Sequence, residues 1–152
     1  FRQIDDANIA LIFMGYGELV GMIESQEDRR IFYLPAVSSF ELASYTASAD
    51  CGVALIEDSC LSYRYCLPNK IFEYFMAGLP VIASDLPEMR KVINEYDVGI
   101  LCSPEEPSAI EEAIQAVRCF DNASLDIKLK KLSKKFNWQN QEKILKAVYE
   151  SI

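Results

Sequence analysis

The segment NKIFEYFMAGLPVIASD, residues 69–85, contains one complete helix-to-strand step. Asn69 is of a type that caps helices. Ile71, Phe72, Phe75 and Met76 then recur at helical spacing and form one apolar face. Gly78 is a usual helix stop, and Pro80 lies just beyond it. Pro80–Ala83 is an apolar run of strand length with proline only at its entry. Asp85 and Glu88 repeat a cap pattern and predict a helix over 86–95.

The same alternation extends in both directions. Ile9–Met14, Ile31–Leu34, Gly52–Ile56 and Val98–Cys102 are apolar runs of strand length, and the first is expected to be buried on both faces. Pro35 ends the second run. Ser38 and Glu41 form a capping box ahead of Phe40, Ala43 and Ala47. Ala109, Ile110, Ala113, Ile114 and Val117 make the stripe of another helix, and two more are expected near 123–135 and 138–151. Strand and helix alternating with short links predicts an α/β fold, a doubly wound parallel sheet of about five strands with C-terminal helices. Residues 1–122 are expected to form the sheet domain. Residues 123–152 are expected to be helices that pack on it or return toward another domain. Ligands of such sheets bind outside the carboxyl ends of the strands. The loops that matter are therefore 15–18, 35–39, 57–69, 84–87 and 103–107.

Composition narrows the chemistry. The chain has 152 residues, 51% of them apolar and 25% charged, enough for a core without cross-links. Its net charge of −8 argues against a nucleic-acid backbone as partner. It has no histidine, which removes Ser-His and Cys-His catalysis and imidazole-ligated zinc. Five cysteines, none in a CxxC pair, fit a reduced setting, and a cytoplasmic location is expected. No metal site is expected. Residues 1–127 carry net −13, whereas 128–152 carry net +5. Five lysines between Lys128 and Lys135 read either as a solvated helix face or as a peripheral contact with a membrane surface.

Two segments invite a ligand. Gly15-Tyr16-Gly17 follows the first strand, but the third glycine of a dinucleotide fingerprint is missing, Val20 standing in its place. Pro68 and Asn69 open a helix at the mouth of a long loop, where backbone N–H groups and the dipole attract phosphate. Lys70 in the first turn disfavours the isolated helix, and a bound anion would remove the conflict. Glu73 lies one turn on. It either accepts hydrogen bonds from a ribose or pairs with Lys70 at i−3. Asp85 reads as a helix cap rather than a base, and the pairs Glu105-Glu106 and Glu111-Glu112 read as structural.

The run Leu67–Asp85 resembles the donor-binding segment of the C-terminal, Rossmann-like domain of GT-B glycosyltransferases of family 4 (glycosyl transferases group 1). The strand ending in Gly15-Tyr16-Gly17, the segment from Phe32 to Asp50, and Val98–Leu101 with Pro107–Ile110 are similar to its flanks. The likeness covers about residues 8–119. It implies a nucleotide-diphosphate sugar as substrate, no cofactor, and metal-independent transfer with retention to a glycan or lipid-linked acceptor, as in polysaccharide biosynthesis. It implies that Glu73 holds the ribose, that Asn69 and Lys70 face the diphosphate beside Pro68, and that Ala36 and Val37 meet the nucleobase through backbone. The first glutamate of the family's motif is replaced by Tyr65, and its sugar contact is expected to fall to Glu57 or Asp58. The family's opening strand, its Arg- and Lys-bearing loop and its N-terminal acceptor domain have no counterpart before Ile9, and the chain begins with Phe1. A fragment of the donor domain is therefore expected, inactive alone and with no catalytic residue assigned within it. An NAD-binding dehydrogenase domain and a non-catalytic doubly wound interaction module are the alternatives.

Overall fold

A computed structural model of the chain describes residues 1–151. The strands are β1 (Leu11–Gly15), β2 (Ile31–Pro35), β3 (Gly52–Ala54), β4 (Val81–Ser84) and β5 (Gly99–Cys102). The helices are α1 (Val20–Glu24), α2 (Ser39–Thr46), α3 (Leu61–Arg64), α4 (Asn69–Met76), α5 (Pro87–Tyr96), α6 (Pro107–Arg118), α7 (Asn122–Lys135) and α8 (Trp138–Glu150). All strand pairs are parallel. The five strands fall into two sheets, β1-β2 and β3-β4-β5. The chain divides into two compact units, Phe1–Leu42 and Ala43–Ile152.

In the first unit β1 and β2 run in register from Leu11↔Ile31 to Gly15↔Pro35. The expectation that β1 is buried on both faces is overturned: Ile12 and Phe13 are 53% and 41% exposed. Within this unit the helix packed on the pair is α1, and its five residues are too few to cover two faces. Arg30 ties the opening segment to β2. It donates to the carbonyls of Ile4 at 2.5 Å and Asp6 at 3.1 Å, and bonds Asp28 through Nε and a terminal nitrogen at 3.0 and 2.7 Å.

The second unit is a three-layer sandwich around β3-β4-β5. Period-two alternation sorts the strand residues. Ala54, Val81, Ala83 and Leu101 face a core completed by Ile71 and Phe75 of α4, Met89 and Ile93 of α5, and Leu125, Leu129 and Leu132 of α7. Ile82, Ile100 and Cys102 face α6 through Ala113, Ile110, Ile114 and Val117. Helices on both faces explain why these strands are continuous apolar runs. Phe136, just after α7, packs its ring 5.2 Å from Phe72 and 5.8 Å from Tyr96.

Two predicted caps fail. Asn69 does not cap α4: Pro68, at φ −70° and ψ 144°, holds the cap position and Asn69 is already helical. Proline's fixed φ leaves Pro68 extended, so the helix starts directly after it. Asp85 does not cap α5 either. The cap residue is Leu86, because Pro87 occupies the first turn, where its missing N–H costs nothing. The Ser38–Glu41 box forms on its glutamate side, the Glu41 carboxylate accepting from the Ser38 hydroxyl at 2.6 Å and from its amide at 3.4 Å.

Candidate donor site

β3 ends at Ala54, and the chain continues through Leu55 and Ile56 into the exposed segment Glu57–Cys60. A single turn, α3, interrupts the connection before Cys66, Leu67 and Pro68 lead into α4. The α4 dipole is fixed in place by its apolar face, with Ile71 and Phe75 fully buried. Its N-terminus has no side-chain cap and no acidic residue in the first turn. Lys70 is exposed there and makes no ion pair among the described residues. The i−3 pair with Glu73 is not formed. Glu73 is exposed, on the side of α4 away from Ile71 and Phe75. Tyr74, beside it, packs on β3, donates to the Val53 carbonyl at 3.3 Å, and has its phenol pushed up chiefly by burial.

Of the two acids at the end of β3, Asp58 is engaged, accepting from Arg64 at 2.7 Å. Glu57 is exposed and has no such partner among the described residues. Tyr65 is 57% exposed. Pro68, Asn69, Lys70, Glu73 and Glu57 therefore all belong to the second unit, at the loop after β3 and the start of α4. Asp85 accepts from Arg90 at 2.6 Å. Ala36, exposed, and Val37, half-buried, lie between β2 and α2 of the first unit. Gly15, the last residue of β1, and Gly17 both stand at positive φ, and the helix that follows is only five residues long. That is a poor dinucleotide cradle.

The sequence did not reveal α3, whose four residues are too few to show a period, nor the role of Ser84. The Ser84 side chain is fully buried, and its hydroxyl accepts from the Ile56 amide at 2.7 Å and donates to the Ile56 carbonyl at 2.8 Å. A buried serine inside an apolar strand was the available signal, since a buried hydroxyl needs partners.

The lysines of α7 mostly meet acids. Lys128 pairs with Asp97 at 2.6 Å, Lys130 with Asp126 at 3.2 Å and Lys135 with Glu95 at 3.7 Å. Exposed pairs of this kind contribute little to stability. Among the described residues, no group of three His, Cys, Asp or Glu side chains is placed to hold a metal ion, and no helix is long and apolar enough to cross a membrane.

A search of curated proteins found none that matches the chain. The family model described as Glycosyl transferases group 1 matches residues 1–118. That span contains every strand of the parallel α/β framework and the whole of α4 with the loop before it. The chain thus belongs to the glycosyl transferases group 1 family.

Proposed function

We propose that the chain is the part of a glycosyltransferase that binds a nucleotide-sugar donor, with the diphosphate at the start of α4. The observation that carries this is the uncapped α4 N-terminus with Lys70 in its first turn and no carboxylate paired to it. Free amides, the helix dipole and one full positive charge then converge on one anion. Glu73, one turn on, accepts two hydroxyl hydrogens of the ribose, and Glu57 faces the sugar.

During transfer, negative charge builds on the leaving diphosphate. Lys70 and the amides of Asn69 and Lys70 lower its energy by preorganised electrostatics, with no metal required. The anomeric configuration is retained, and the acceptor is a glycan or lipid-linked sugar presented by an N-terminal domain of the same protein. The reaction is proposed to take place in the cytoplasm, at the inner face of a membrane. The 152-residue chain alone is expected to bind nucleotide weakly and transfer nothing.

Titration of the chain with UDP, GDP and NAD, followed by amide chemical shifts, tests the reading. Shifts at Asn69–Glu73 with UDP or GDP are expected. Response to NAD alone, or to none of the three, overturns it.

A further inference from the structure

We infer that Ser84 is the positioning residue of the donor loop, an inference that rests on the donor reading above. The β3-β4 ladder ends at Ala54↔Ala83. Two residues later Ile56 has left the ladder, yet its amide and carbonyl are both satisfied by the Ser84 hydroxyl, at 2.7 and 2.8 Å. One side chain thus replaces two backbone hydrogen bonds at the point where the chain leaves the sheet. Ile56 also packs on the core shared by Ala54, Ile71 and Phe75. The next residue is Glu57. The loop that starts there ends at Asn69, where Ile71 fixes α4 in the same core.

Both ends of the loop are therefore pinned, one by Ser84 and the other by the buried face of α4. Between them the segment Glu57–Tyr65 is exposed throughout, held by the single turn α3 and the exposed Asp58–Arg64 pair rather than by buried contacts. If Ile56 slipped by one residue, Glu57 would turn to the opposite side of the strand path. The hydroxyl prevents that slip, because a slipped Ile56 would leave buried polar groups without partners. A loop held in its binding form loses less entropy when a ligand arrives.

The test uses Ser84→Ala and Ser84→Thr in the full chain, with amide hydrogen exchange and UDP and GDP titration. In the wild type, the Ile56 amide exchanges as slowly as those of Val81 and Ala83. In Ser84→Ala, exchange at Ile56 and Glu57 rises by about tenfold or more while Val81 and Ala83 hold. The nucleotide Kd rises about tenfold, and Ser84→Thr, which keeps the hydroxyl, recovers most of it. Unchanged affinity in Ser84→Ala, with wild-type binding intact, overturns the role of Ser84 and leaves the donor reading standing. Absence of UDP and GDP binding in the wild type overturns the donor reading and the role with it. Should Ser84→Ala not fold, the wild-type exchange decides: an Ile56 amide as fast as exposed Ser59 overturns the inference.

Discussion

Tyr74 packs its ring directly on Gly52: a β-carbon at residue 52 would sit 2.2 Å from the ring carbons Cγ and Cδ2. Ring atoms so near the backbone cannot swing aside as the tip of a long side chain can. Gly52→Ala is expected to destabilise the second unit by about 1–3 kcal/mol through overpacking. Tyr74→Phe, which keeps the ring and loses only the long bond to Val53, should cost about 0.5–1.5 kcal/mol. The double variant Gly52→Ala with Tyr74→Ala should recover part of the clash. Urea melts of the four proteins check this, and equal stability of Gly52→Ala and wild type would refute it.

The family match ends at residue 118, but the core does not. Leu129 and Leu132 of α7 are 2% and 1% exposed and pack in the same cluster as Ile71 and Phe75 of α4. Leu129→Ala is expected to cost about 2–5 kcal/mol. A chain cut after Phe120 should lose cooperative unfolding, since the buried face of α4 would meet water. A sharp thermal transition in the truncated chain would contradict this packing role.

These elements differ in how legible they were. The core of β4 and β5, and the end of α4 at Gly78, follow from local patterns in which apolar run, glycine and proline agree. The exposed faces of β1 and β2 do not, because an apolar run states what a strand can bury and not what is present to cover it. The caps at Asn69 and Asp85 were misread because a neighbouring proline moved each helix start by one residue. The helix α4 itself was legible from its apolar spacing and its stop at Gly78; the anion site proposed at its start rests on Lys70 and on that helix start. The Ile56–Ser84 clamp joins residues 28 apart, and no local spacing encodes it.

Asp28 is held at about pKa 2, against an ordinary 3.8, mainly by its side-chain hydrogen bond with Arg30. The folded state therefore favours the carboxylate. Its contribution is complete above the unfolded value and is lost as pH falls through the folded one, between about pH 4 and pH 2. Over that range the first unit is expected to loosen, seen as faster exchange of the Leu11 and Ile31 amides. Asp28→Asn should flatten this dependence. Superimposable pH profiles for the two proteins would count against it.

The cysteines divide by environment. Cys60 and Cys119 are exposed, whereas burial pushes the Cys51 thiol up to about 11 and also raises that of Cys102. At pH 8 the thiolate fraction of Cys51 is then roughly one part in a thousand. Iodoacetamide should label Cys60 and Cys119 first and leave Cys51 and Cys102 unlabelled until the fold opens. Peptide mass mapping over time reads the order, and early labelling of Cys51 would show that its burial is wrong.

The most direct measurement is calorimetric titration of wild type, Lys70→Ala and Glu73→Gln with UDP or GDP, whichever the wild type binds, and in parallel with inorganic pyrophosphate. If the diphosphate sits at the start of α4 and Glu73 holds the ribose, Lys70→Ala weakens both ligands by about tenfold. Glu73→Gln then weakens the nucleotide by a similar factor and leaves pyrophosphate unchanged. Wild-type affinities in both variants, or equal losses of nucleotide and pyrophosphate in Glu73→Gln, would contradict the account.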